Sequence, residues 1–172
     1  MDEQLDAKLR EAAPGQREEL ARLRGAAAIA NAKIAYQRFR EAFAASRFAR
    51  LRARGARVQR PLWASTSTKN PAYRDVRYVE ALIGPETVNT MPQQTLDAFR
   101  SHGVVARTVD RDVGEAHEVL AGLRRVGIDL DAVTAELLEK GIEAFDDSLR
   151  ELRSDIEQKL EALRTDSPTL TR

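Results

Sequence analysis

At 172 residues, with 42% hydrophobic and 32% charged side chains, the chain has the size and solvation of one globular domain. Its 28 basic and 27 acidic groups leave a net charge of +1, so nothing global draws it to nucleic acid or to an acidic membrane. There is no cysteine, and His102 and His117 are the only imidazoles, which excludes disulfides, thiolate catalysis and a histidine-rich metal cage.

The N-terminus, MDEQLDAKLREAAPG, is acidic and amphipathic, unlike a signal peptide, and no apolar run approaches the roughly 18–20 residues of a membrane span. A cytoplasmic, non-membrane protein is expected. Residues 2–13 read as a short helix, with Leu5 and Leu9 four apart and Pro14-Gly15 as its stop. Residues 16–46 carry Leu20, Leu23, Ala27, Ile34, Tyr36, Phe39 and Phe43 at helical steps. Gly25 leaves open whether this stretch is one helix or a kinked pair. A further short helix over Arg47–Arg54 ends at Gly55.

The pattern then changes. Val58–Ser65 is short and apolar at its centre, and runs into a Ser/Thr loop punctuated by Asn70-Pro71, as a buried strand would. Asp75–Ile83 is helical, with Val76, Val79, Leu82 and Ile83 on one face, and Thr87–Met91 is a second strand. Pro92 opens a helix that closes at Gly103. Strand, helix, strand and helix on short joins predict a parallel βαβ unit. Helices follow over Asp112–Val126, over Asp131–Lys140 with Asp129 or Asp131 as its cap, and over Ile142–Leu163, before the polar tail TDSPTLTR.

The expected architecture is therefore helix-dominated α/β, a single domain over 1–172. Residues 1–57 are helical, 58–103 form two βα units, and 104–165 form C-terminal helices, giving about two parallel strands and six to eight helices. Two strands do not make a stable parallel sheet alone. Either helices smother them, or the chain is a piece of something larger.

The segment Arg60–Gly103 holds unusual short motifs in order, WASTSTKNP and TVNTMP among them. It resembles the seventh and eighth βα units of bacterial transaldolases, which carry a W-A-S-T-x-x-K-[ND]-P loop and a T-V-N-T-M-P strand. GAAAIANAKIAYQ (25–37) is similar to the sixth barrel helix, and VGIDLDAV with LLEKGIEAF (126–145) to the C-terminal helices of that family. The resemblance implies part of an (α/β)8 TIM barrel. It also implies transfer of a dihydroxyacetone unit between sugar phosphates in the pentose phosphate pathway, by a lysine Schiff base with no metal or organic cofactor. The family's lysine lies in a K-I-P-A-like motif that is not found in this sequence. Its first-strand aspartate, its acid/base glutamate and the arginine after the sixth strand also belong to segments not found here. The sequence is thus expected to start just past the sixth strand and to be inactive alone.

In such barrels functional groups sit in loops at the carboxyl ends of strands. By resemblance, Ser65 corresponds to the phosphate-binding serine. Lys69 corresponds to a basic residue that other branches carry two positions after that serine, rather than four. A hydroxyl donor and a point cation at a strand end suit a phosphate dianion. Read bare, Ser65–Thr68 is an ordinary solvated turn. Asn89 and Thr90 could line the site floor, and strand-end capping explains them equally well.

No catalytic residue is assigned. Lys69 follows small and hydroxylic residues in an exposed-looking loop, which does not poise an amine for carbonyl capture. Lys33 reads as a snorkelling helix side chain, and Lys8, Lys140 and Lys159 as solvated ones. Trp63 reads as core, His102 as a helix C-terminal residue, and Arg47, Arg50, Arg52, Arg54, Arg57 and Arg60 as a solvated face rather than a nucleic-acid site. The partners implied are sugar phosphates in a completed barrel and an N-terminal companion fragment, as in a split enzyme. The alternatives are a non-catalytic helical binding or scaffold protein grown from a barrel remnant, and a homo-oligomer that rebuilds a barrel from copies.

Overall fold

The computed structural model describes residues 2–165, which hold eight helices and two strands. The chain divides into two compact units, Met1–Ile128 and Asp129–Arg172. All but one of the helices lie in the first: α1 (Asp2–Glu11), α2 (Pro14–Leu23), α3 (Ala27–Ala44), α4 (Ser46–Arg52), α5 (Arg77–Ala81), α6 (Gln93–His102) and α7 (Val113–Arg125). Strands β1 (Leu62–Trp63) and β2 (Val88–Asn89) flank α5. The fold is therefore the expected helix-dominated α/β arrangement with a two-stranded parallel sheet. The tail expected beyond Thr165 lies outside the described residues.

The long helical stretch is a pair. Gly25, at φ 64°, separates α2 from α3, a left-handed conformation that glycine adopts without steric cost. A Cβ there would also lie 2.8 Å from the Tyr73 ring. The Gly25 N–H donates to Asp2 Oδ1 at 3.1 Å and the Tyr73 hydroxyl to Asp2 Oδ2 at 3.0 Å, so the break is tied to both α1 and the loop before α5. Helix α3 packs most extensively on α7, and α2 leans on the same partner. Leu5, Leu23, Val76, Val109 and Leu123 are the largest fully buried side chains of this unit. Each such side chain contributes about 1.5–3 kcal/mol by leaving water.

A second knot of packing positions the sheet. Tyr36, Trp63, Leu82 and Val109 form one buried cluster, with Phe39 and Ile29 against it. The polar ends of its two large rings are satisfied by backbone carbonyls just after α5: Tyr36 Oη donates to Pro85 O at 3.1 Å, and Trp63 Nε1 to Leu82 O at 3.2 Å. Thr108 locks the same corner, donating through Oγ1 to Glu80 O at 2.6 Å and accepting from the Ile83 N–H at 3.2 Å. Gly84 permits the close approach, since a Cβ there would come within 2.1 Å of Val109 Cγ1.

The strands are shorter than the expected Val58–Ser65 and Thr87–Met91. Pairing is parallel and confined to Leu62 with Val88 and Trp63 with Asn89. Among the described residues each strand has one neighbour in this sheet, which leaves both outer edges unpaired. Leu62, a β1 residue, remains 52% exposed.

Among the described residues the second unit holds one helix, α8 (Leu130–Thr165), 36 residues long. The Asp129 carboxylate begins it by accepting the Asp131 N–H at 3.0 Å. Two helices were expected here, divided at Gly141. The helix instead runs through that glycine, at a propensity cost of about 1 kcal/mol relative to alanine, which its length absorbs.

Candidate functional site at the strand ends

The carboxyl ends of β1 and β2 bring Ser65, Asn89 and Thr90 to one edge of the first unit. After Trp63 the chain turns at Ser65, whose φ of 54° is left-handed for a non-glycine residue. That turn carries the next residue, Thr66, back under the strand ends. Its N–H donates to Thr90 O at 3.3 Å, and its hydroxyl donates to Asn89 Oδ1 at 2.7 Å. Thr90 returns the tie, with its N–H on Trp63 O at 2.9 Å and its hydroxyl on the same oxygen at 3.4 Å. Asn89 and Thr90 thus cross-tie the strand ends, while the Ser65 side chain stands exposed at the rim.

Beyond it the loop is held by its own hydroxyl and amide groups. Thr68 Oγ1 donates to Arg74 O at 3.0 Å, and Asn70 Oδ1 accepts the Ala72 N–H at 2.9 Å, an Asx turn that leads into α5. Lys69 sits between these anchors, exposed and without an ion pair among the described residues. Among the described residues no side-chain hydrogen bond joins it to Ser65, Asn89 or Thr90. Ser65 and Thr66 also border a cleft of about 250 Å³. Its remaining wall is largely apolar: Ala28 and Ala32 of α3, Trp63, and Tyr78 and Leu82 around α5. Burial raises the Tyr78 phenol above its usual pKa.

Thr66 escaped the sequence reading because it was one of four hydroxylic residues in a row. Only the fold shows that this one is buried, at 6% exposure, and bonded to Asn89. Two other polar groupings were also missed. His102, at the end of α6, lies 2.9 Å from Asp75 Oδ1, and the hydrogen bond between them holds the Asp75 carboxyl below its usual range. Asp110 is gripped by Arg107 and by Arg40 Nη1 at 3.3 Å, and these guanidinium groups depress its pKa, Arg107 most strongly.

The lysines divide by surroundings. Lys33 Nζ donates to Arg111 O at 2.9 Å, tying α3 to the turn before α7. Lys140 pairs with Glu136 one helical turn away. Lys8 is half-buried, and Lys69 and Lys159 are exposed. The six arginines from Arg47 to Arg60 are all exposed, with Arg52 stacked over Phe48 at 5.3 Å from the ring centre. Among the described residues no three His, Cys, Asp or Glu side chains converge as metal ligands, and no helix is long and apolar enough to cross a membrane.

Comparison with known proteins agrees with the sequence motifs. Residues 2–156 match the family described as Transaldolase/Fructose-6-phosphate aldolase. The chain is 45% identical over 163 residues to a transaldolase of Mycolicibacterium smegmatis, covering 94% of this chain and 43% of that protein. It is 48% identical over 156 residues to the transaldolase of Thiobacillus denitrificans, covering 91% of this chain and 43% of that protein. For the transaldolase of Frankia alni the figures are 49% over 140 residues, 81% and 38%. The chain spans well under half the length of these relatives. A match along 155 residues at such identity, on the helix-dominated parallel βαβ frame expected of a transaldolase C-terminal part, leaves one conclusion: the chain belongs to the transaldolase/fructose-6-phosphate aldolase family.

Proposed function

We propose that residues 1–172 form the C-terminal portion of a transaldolase barrel, with β1 and β2 as its seventh and eighth strands and both compact units as parts of that one portion. In this reading the completed barrel transfers a dihydroxyacetone unit between sugar phosphates in the cytoplasm. The Schiff-base lysine comes from another segment, and this chain alone is inactive. The observation that carries the proposal is the WASTSTKNP loop standing at the carboxyl ends of a parallel strand pair, where barrel enzymes keep their chemistry.

The chemistry assigned to this chain is substrate holding. Ser65 offers an exposed hydroxyl and Lys69 an exposed ammonium, which together suit a phosphate dianion reaching the rim. Asn89 and Thr90, fixed by Thr66, form the floor and keep the two strand ends in register. Four of the five lysines lack the surroundings of a carbonyl-capturing amine. Lys33 is committed to a carbonyl and Lys140 to a carboxylate, while Lys69 and Lys159 are open to water.

The test is complementation. This chain is mixed with the N-terminal remainder of the Mycolicibacterium smegmatis transaldolase, supplied with ketose and aldose phosphates, and treated with borohydride. Exchange should appear only in the mixture, with the reduced adduct on the companion's lysine. In the reconstituted enzyme Ser65→Ala should raise KM for both phosphates about tenfold, with a smaller change in kcat. An adduct on any of the five lysines of this chain, or exchange by this chain alone, would refute the reading.

A second reading rests on the first unit's own core. A unit this well packed is also suited to a non-catalytic binding or scaffold role. Cooperative unfolding of a soluble monomer, with no exchange on mixing, would favour it.

A further inference from the structure

We infer that His102 is a positioning residue for substrate phosphate: from the end of α6 it latches, through Asp75, the base of the loop that carries Lys69. The inference rests on the substrate-holding role proposed above for Ser65 and Lys69. Its starting point is how little ladder there is. The two strands share only the pairs Leu62 with Val88 and Trp63 with Asn89. Just beyond them Thr66 is tied to Asn89 and Thr90, which fixes the loop at its first end, three residues before Lys69. A cation on such a loop binds best when the far end is fixed too, because ordering the loop at each encounter costs conformational entropy.

That far end is tied twice to the carboxyl end of α6. The first tie is direct, with His102 Nε2 lying 2.9 Å from Asp75 Oδ1. An ionised carboxylate only accepts, so the imidazole holds a proton on Nε2 and donates it. The second tie runs through Glu80 of α5. Its Oε1 accepts the Val104 N–H at 3.0 Å, and its Oε2 pairs with Arg74 Nη1 at 3.1 Å. Arg74 and Asp75 are also the two residues whose carbonyl oxygens lie 3.0 and 3.3 Å from Thr68 Oγ1. Thr68 is the residue before Lys69, and the Tyr73 N–H, donating to Asn70 O at 3.1 Å, closes the turn after it. A continuous run of hydrogen bonds thus leads from α6 through Asp75 and Thr68 to the backbone at Lys69.

Helix α6 follows β2, so the latch joins the loop of one βα unit to the helix of the next. Asn89 and Thr90 stand before the start of that helix, and His102 at its end. The arrangement suits positioning rather than stability. The His102 and Asp75 side chains are 48% and 58% exposed, and exposed pairs contribute little to folding. Neither belongs to the buried cluster of Tyr36, Trp63, Leu82 and Val109, so removing the imidazole should leave that core intact.

Two measurements decide the matter. In the chain alone, His102→Ala should lower the backbone order parameters of the Thr68–Tyr73 amides from the rigid range, about 0.85, toward about 0.6. The Val88 and Thr90 amides, held in the strand pair, should not change. His102→Gln should restore the order, because the glutamine amide offers an N–H at about the reach of Nε2. The second measurement uses this chain fused to the N-terminal remainder of the Mycolicibacterium smegmatis transaldolase. There His102→Ala should raise KM for the sugar phosphates about fivefold with kcat within about twofold, and His102→Gln should recover it. On a Lys69→Ala background His102→Ala should add nothing, since it acts through that loop. Unchanged order parameters, or an unchanged KM in an active fusion, would overturn the inference. So would a His102→Gln variant as impaired as His102→Ala, or additive losses in the double variant. A parent fusion that transfers nothing would refute the functional reading itself and take this inference with it.

Discussion

The 2–128 unit and helix α8 draw on the same leucine- and alanine-rich vocabulary, and both carry apolar stripes at helical spacing. In the first, the stripes converge. Leu23 of α2 and Val119 and Leu123 of α7 are buried on helices that pack together, and Leu5 and Val109 are fully buried. In α8 the stripe from Leu138 to Leu163 stays open to solvent. Periodicity decides which side of a helix is apolar, and says nothing of what covers it. Stability in the first unit should therefore respond to loss of packing, and in α8 to helix propensity.

The sharpest break in that contrast comes from Trp63. Trp63→Ala removes the largest side chain of the cluster it forms with Tyr36, Leu82 and Val109, and orphans the Leu82 carbonyl that accepts its N–H. A loss of about 3–5 kcal/mol is expected, read as a lower urea midpoint for tertiary fluorescence from the tyrosines, with the α8 helical signal lost separately. If the two transitions move together, the units are energetically one. The opposite probe is Gly141→Ala, where a Cβ would have open space around it. It should stabilise α8 by about 1 kcal/mol without moving the unfolding midpoint of the first unit. An unchanged helical signal on heating would show that Gly141 is not the weak point of the helix.

Helices were the most legible part of the sequence, because each apolar face repeats at a fixed step and glycine or proline marks most ends. Gly25 shows how far this goes. It announced a break without saying whether it was a kink or a stop, and only contact with Tyr73 and Asp2 makes it a stop. Strands were visible as position but not as length, since β1 and β2 pair over two residues for want of neighbours. Val109 and Thr108 lie in a non-periodic connection, so no pattern marked one as core and the other as the clamp of the α5 corner. At the strand ends, the motif located Ser65, Asn89 and Thr90. The burial of Thr66 beside them depends on a left-handed turn at Ser65, which a run of hydroxylic residues does not reveal.

The smallest effect expected is electrostatic, and it distinguishes the same two regions. Asp110, in the first unit, keeps its carboxyl below the ordinary value chiefly because Arg107 donates to it, with Arg40 adding to the effect. A depressed folded-state pKa means that the unfolded chain binds the proton more readily. The stabilisation is thus complete above the unfolded carboxyl's range and declines as pH falls through the folded value, below about pH 4. Asp110→Asn should cost the first unit some stability at neutral pH, and the difference from the parent should shrink as pH falls from 5 to 2.5. In α8 Asp147 pairs with Arg150 on an open helix face, where such pairs contribute little, so Asp147→Asn should leave the acid profile of that helix almost unchanged. Urea midpoints of both variants across that pH range check the contrast. A parallel offset for Asp110→Asn at every pH would mean that its grip on Arg107 and Arg40 matters through shape rather than charge.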